Sequence, residues 1–282
     1  MLLLRGLLIL AALLLAQPAA AQQDRDEVAR QIIGLPWQAA PAAGTIASTA
    51  RISLQGGLRF LDEASSSRFL QLNGNPPRPG NWVLAPSAIN WFAVFSFNRI
   101  GYVRDDERLD ANELLRTLQQ SDANANTERQ RLGMPTLRTD GWAVEPHYDS
   151  DSRQLEWATR LIDAEGFTAI NYSVRLLGRG GVTTAILVSD PQHLTDDMRE
   201  FRLALRGFDY LPGERYTEFR QGDRIAEYGL VGLVVGGAAV AGAGFLKSFG
   251  KMIGLAVLAG GAAVFSFFKR LFVRDDPNKP GR

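Results

Sequence analysis

Arg175 and Arg179 lie four residues apart beside the run Gly178-Arg179-Gly180-Gly181. Two guanidinium forks at that spacing can clamp a carboxylate or a phosphate. A glycine-rich turn can also cradle phosphate through its backbone N–H groups. A phosphate loop opens a helix, however, and here the flanking stretches both alternate like strands, which favours a hairpin turn. Cross-strand pairing with Asp or Glu on a polar sheet face is the competing use of the two arginines.

Glu145, His147, Asp149 and Asp151 also alternate. On a strand they would share one face as an oxygen-rich metal site. Pro146 and the run Asp149-Ser150-Asp151 favour a turn instead, so these residues read as solvated and no metal is assigned. Asp105-Asp106-Glu107 followed by Asp110 lacks the glycine and terminal glutamate of a calcium loop. It reads as the acidic start of a helix, favourable to the helix dipole. Asp149 and Glu156 are the carboxylates a hydrolase would use, provided that they converge across a cleft. Trp82, Trp91, Trp142 and Trp157 suit a core better than a binding groove.

Composition narrows the chemistry further. The 282 residues contain no cysteine and two histidines, His147 and His193. Disulfides, thiolate catalysis and Cys-ligated zinc are excluded, and a Ser-His-Asp triad has little to draw on. The net charge is +1 and the basic residues are interleaved with acids, which argues against a nucleic-acid partner. No cofactor motif is present.

These residues sit in a segment with an α+β pattern. Residues 24–35 predict a short helix, and Pro36 to Gly44 a linker. Strand signals follow at Ile52–Phe60, Trp82–Leu84, Trp91–Phe97 and Gly101–Val103, with a loop over 73–80. Asp110 with Glu113 opens a helix with Leu114, Leu115 and Leu118 as its stripe, and 126–132 adds a turn or two. Gly141–Val144 enters a strand. In Thr168–Leu177, Ile170, Tyr172, Val174 and Leu176 alternate with a polar face of Asn171, Ser173 and Arg175. Val182–Val188 returns as the partner strand. Asp190 caps a helix over 191–206, and Phe208–Phe219 is a final edge segment. The expected fold is α+β, an antiparallel sheet with inserted helices, over residues 46–222, followed by a C-terminal hydrophobic membrane anchor.

Both ends are apolar. Residues 1–21 read as a signal peptide, with Arg5, an apolar stretch Leu7–Ala16, Pro18 and the small-residue pattern Ala19-Ala20-Ala21. Residues 22–45 form the short helix and linker. Residues 228–246 and 252–268 are uncharged and each near the about 20 residues needed to cross a bilayer. The tail 269–282 is basic. A two-span hairpin and a single span through 252–268 compete, with hydrophobicity favouring the hairpin and the positive-inside rule the single span. Gly232 with Gly236, and Gly250 with Gly254, have the spacing that lets helices pack closely.

Asn73-Gly74-Asn75-Pro76, Gly101-Tyr102-Val103-Arg104-Asp105-Asp106, Gly141 through Asp149, Leu155-Glu156-Trp157-Ala158, Asn171 through Arg179 and Tyr216-Thr217-Glu218-Phe219 occur in an order that resembles a family of bacterial membrane-anchored proteins, domain of unknown function 2167. The resemblance implies an exported domain tethered to the inner membrane and names no activity. It marks Trp142, Pro146, Tyr148, Asp149, Asn171, Tyr172, Arg175, Gly178 and Arg179 as family positions and leaves out His147. The ligand-binding candidates are thus Arg175, Arg179, Tyr148 and Asp149, and no catalytic residue is assigned. The expectation is a periplasmic domain at the inner membrane, non-enzymatic, acting through the lipid bilayer and through protein partners or self-association. A small anionic ligand-binding module is the second reading and a carboxylate hydrolase the third.

Overall fold

The computed structural model describes residues 27–236 apart from 74, 76–78, 132–135 and 167. The stretch 1–21 read as a signal peptide, residues 237–246 of the first hydrophobic segment, Gly250, Gly254, the segment 252–268 and the basic tail lie outside the described residues. Residues 27–33 form α1. Then come β1 (Gln38–Ala39), β2 (Ala42–Ile46), β3 (Ala50–Leu54), β4 (Leu58–Leu61), α2 (Glu63–Leu72), β5 (Trp82–Pro86) and β6 (Phe92–Asn98). The long helix α3 (Ala111–Arg131) precedes β7 (Leu137–Asp149), β8 (Gln154–Asp163), β9 (Thr168–Leu177) and β10 (Val182–Val188). The chain closes with α4 (Leu194–Leu205), β11 (Phe208–Tyr210), a 3-10 turn (Tyr216–Glu218) and α5 (Leu230–Val235).

The fold is α+β, with antiparallel sheets and inserted helices. Eight strands run β1-β4-β5-β6-β10-β9-β8-β7, and three more run β11-β3-β2. The β9–β10 pair is the hairpin that the alternation predicts, with Leu177 opposite Val182 across the turn. One face of the large sheet carries Phe95, Tyr172, Val174, Leu176 and Ala185. It is covered by the small sheet and by α4, whose Met198, Phe201 and Leu205 supply its apolar stripe. The other face is covered too, by α1 and α2 at one end and by α3, α5 and the 3-10 turn at the other.

That second cover corrects several expectations. Asn171, Ser173 and Arg175 do alternate with the core residues, but they are buried rather than solvated. The period-2 pattern gave the correct face assignment and could not report that a second layer lies above it. The linker expected at 36–44 is drawn into strands, because β1 pairs with β4 and β2 with β3. Gly101–Val103 is no strand: Tyr102 makes one isolated parallel bridge, to Ile225. The turn expected around 145–151 begins later. β7 runs through Pro146 to Asp149, with a register shift between Val144 and His147 that spares the proline a ladder bond on this outermost strand.

Two helices differ as well. α2 is not foreseen from the sequence, because its serine-rich stretch has weak helix propensity. Its Asp62 cap, which accepts from Ser65 N–H at 2.8 Å, is the signal that was there to be found. α3 is one continuous 21-residue helix. It shields the start of β7, the outermost strand. The Asn126 amide both donates to and accepts from the Leu137 backbone at 2.8 Å, and Asp122 accepts from Thr139 N–H at 2.7 Å. Side chains of a helix thus occupy part of the edge a further strand would take.

Candidate functional site

β9 carries Arg175 into the covered face. Its guanidinium lies over the Trp157 ring, 4.7 Å from the centroid. Trp157, Leu155, Leu177 and Val182 form the sheet side of the apolar cluster around it. Arg175 is 6% exposed, and its buried Nη1 has no hydrogen-bond partner. Burial pushes its pKa down to about 10, because the charged form is disfavoured away from water. Across the ladder Thr184 on β10 stands opposite Arg175, and Ser96 on β6 stands opposite Thr184.

A strap of chain, residues 211–235, closes this side. Arg179 anchors it: Nε and Nη2 donate to the two carboxylate oxygens of Asp223 at 2.7 and 2.8 Å. The guanidinium beside Asp223 holds that carboxyl down to about 2. Tyr102 N–H donates to Arg224 O and receives Ala226 N–H on its own carbonyl, at 2.8 and 2.9 Å. Gly101 has φ +101°, and a Cβ there would lie 2.7 Å from Arg224 O, so only glycine lets the strap approach. Tyr102 stacks on Tyr216 and lies against Phe219, with centroids 4.4 and 4.3 Å away. Glu107 accepts from Val231 N–H at 2.8 Å and so satisfies an otherwise orphan donor at the start of α5.

Acid should loosen this strap. A carboxyl whose pKa is lowered on folding adds stability above its unfolded value, and that stability is lost as the pH falls towards the folded value. For Asp223 the window runs from 3.8 down to about 2. Limited proteolysis at Arg220 and Arg224 should therefore accelerate between pH 4 and pH 2 with an acid-active protease that cuts near them. Asp223→Asn should show the fast rate already at pH 5. A rate independent of pH in wild type would mean that the Arg179–Asp223 pair does not hold the strap.

The four ligand-binding candidates have separate surroundings. Arg179 is engaged by Asp223 and Arg175 is under the strap, so they do not form one clamp. Tyr148 donates to Asp105 at 2.7 Å, and Arg153 donates to the same oxygen at 2.5 Å. Burial pushes Asp105 up, but the Tyr148, Tyr216 and Arg153 interactions outweigh it and leave the carboxyl below its ordinary value. Burial and the Asp105 hydrogen bond push the Tyr148 hydroxyl well above its own. Asp149 is exposed and caps the following turn, accepting from Asp151 N–H and the Ser152 hydroxyl at 2.9 and 2.7 Å.

Glu156, the other hydrolase candidate, lies on the opposite face from Arg175. It is bound by Tyr172 and by Arg202, whose Nη2 donates at 2.7 Å. Among the described residues no three His, Asp or Glu side chains gather as a metal site. Trp82, Trp91 and Trp157 are buried, and Trp142 is half-buried, donating to Ala111 O at 2.9 Å. Gly232 lies in α5 against its own Tyr228, and Gly236 ends that helix with φ +89°. The described start of the first hydrophobic segment, 228–235, thus packs in the domain. No helix among the described residues is long and apolar enough to cross a membrane. Sequence reasoning missed Asp223, Arg153 and Tyr228, and it read Asp105 and Glu107 only as the acidic start of a helix, whereas the helix begins at Ala111 and their partners are distant in the chain.

No curated protein matches the chain. Among solved structures, the solution structure of cyanobacterial PsbP (CyanoP) from Synechocystis sp. PCC 6803 is similar at 10% identity, over 57% of this chain and 86% of that one, with a TM-score of 0.34. That likeness is too distant to bear on function. The family described as "Protein of unknown function (DUF2167)" matches residues 38–265, most of the length, and the chain belongs to that family.

Proposed function

We propose that the protein is a non-enzymatic interaction or assembly module of the bacterial envelope. In this reading residues 1–21 direct export, the apolar stretches 237–246 and 252–268 anchor the domain in the inner membrane, and the domain faces the periplasm. The observation that carries it is the docking of 228–235: Tyr228, Leu230, Leu233 and Val234 are buried in the same cluster as Trp157 and Tyr216. The hydrophobic segment therefore starts inside the domain core. Such an anchor holds the domain at a set orientation to the bilayer, which suits presenting one surface to neighbours in the membrane. The hydrolase reading has less support, since Asp149 caps its own turn and Glu156 is held by Tyr172 and Arg202 on the opposite sheet face from Arg175.

The test compares the native chain with a variant carrying about 15 Gly/Ser residues after Gly236, a flexible tether. Both are cross-linked in cells and purified in mild detergent. The expected result is that both stay with the membrane after a carbonate wash, and that only the native chain yields a reproducible cross-linked partner or oligomer. Loss of wild type from the membrane fraction would overturn the anchor. A clean monomer would overturn the interaction role, and an unchanged cross-linking pattern would overturn the set orientation.

A further inference from the structure

Arg175 stands out in the interior of the sheet. A guanidinium stays charged, and taking it out of water costs several kcal/mol unless acceptors or an anion compensate. Glu156, Asp197 and Arg179 all have polar or charged partners. Arg175 has the face of Trp157 and an electrostatic interaction with the Tyr228 hydroxyl, while its Nη1 is left without an acceptor. A side chain serving only to fill this apolar cluster would carry no charge.

Its neighbours on the same face are hydroxyl-bearing. Thr184 lies directly across the ladder, Ser96 lies beyond Thr184, and Ser173 is two residues earlier on β9. Thr184 and Ser173 are buried. The guanidinium itself reaches across β8 to Trp157, and among the described residues no carboxylate pairs with it; a buried guanidinium with an unfilled donor, on a sheet face that also carries hydroxyls, can receive an oxyanion. The cover is the strap, fastened by the Arg179–Asp223 and Glu107–Val231 contacts near the surface.

We propose that Arg175, on the sheet face it shares with Thr184 and Ser173, receives one small oxyanion, a carboxylate or phosphate group, that enters when the strap lifts. The anion supplies the missing acceptor for Nη1, and the strap closes over a neutralised pair. Binding and strap closure are then linked, so the anion stabilises the closed domain. The inference concerns the domain alone and does not depend on whether the tail anchors it.

The full chain in mild detergent is titrated at constant ionic strength with sodium acetate, with inorganic phosphate, or with micelles containing phosphatidylglycerol, against chloride. Thermal unfolding is followed by tryptophan fluorescence. The expected result is a saturable rise in Tm with at least one of the three, roughly 5 °C or more at a hundredfold the Kd. Which probe acts tells a free carboxylate from a free phosphate and from a lipid headgroup. Arg175→Met should abolish the rise, Arg199→Met on the solvent side of α4 should keep it, and Thr184→Val should weaken the apparent affinity several-fold. No saturable rise in wild type with any probe, or a full rise in Arg175→Met, overturns the proposal. Should Arg175→Met not fold, an unchanged affinity in Thr184→Val overturns it instead.

Discussion

Trp157→Ala is expected to lower the stability of the protein by about 3–5 kcal/mol, the usual loss when a buried tryptophan is truncated to alanine. Trp157 is 4% exposed and belongs to the cluster that receives Tyr228, Leu230 and Leu233 from the strap. Its ring is also the surface on which Arg175 lies. Truncation therefore removes apolar burial and leaves a buried charge with less compensation, two effects of one sign. Arg175→Met should behave in the opposite way without ligand. Replacing an incompletely paired buried charge by an apolar chain of similar length is neutral or stabilising in comparable sites. Urea unfolding of the two variants beside wild type measures both. A loss below about 1 kcal/mol for Trp157→Ala would show that the cluster does not root the strap. A large loss for Arg175→Met would show that the guanidinium has acceptors of its own in solution.

Gly181→Ala is expected to be about as damaging, on the order of 3–5 kcal/mol, the upper range for single substitutions. A Cβ on Gly181 would lie 2.1 Å from Asn98 O and 3.0 Å from Arg99 Cα, and both are backbone atoms that cannot swing away. Relief requires separating β10 from β6 at the end where Val182 pairs with Asn98. Gly180→Ala is the matched control. Its Cβ would meet only the ends of Arg99 and Glu214, at 3.4 and 3.6 Å, and it should be close to neutral. The pair separates two readings of Gly178-Arg179-Gly180-Gly181. In a strand turn the damage is confined to the glycine facing backbone. In a phosphate cradle, Gly180→Ala would weaken anion binding with little change in stability. Thermal unfolding of both variants, with and without phosphate, distinguishes these outcomes.

The strands and helices nearest the site were largely legible. Thr168–Leu177 and Val182–Val188 alternate because a half-buried strand must, and the glycines between them permit the turn. α4 could be found because its apolar residues recur at helical spacing. α3 was legible from its start, where Asp110 accepts from Glu113 N–H at 3.0 Å. These signals are local: each is set by residues within a few positions of one another.

What surrounds Arg175 was not legible, because none of it is local. A period-2 pattern identifies which residues share a face and says nothing about whether solvent or a second layer lies above. Arg175 appeared as a polar-face residue, and packing turned it into a buried charge. An uncharged run from Tyr228 reads the same way whether its first residues enter lipid or a protein core, since both are apolar. Tertiary structure assigned 228–235 to the domain, with Glu107 joining Val231 across 124 positions. By itself the sequence determined the absence of thiol chemistry, the α+β alternation and the strand faces, which depend on composition and short-range periodicity. Only the tertiary structure decided that Arg179 is taken by Asp223, that Arg175 lies covered with an unfilled donor, and that the strap closes over it. Those outcomes depend on which distant surfaces exclude water from one another, and no spacing along a single chain encodes that directly.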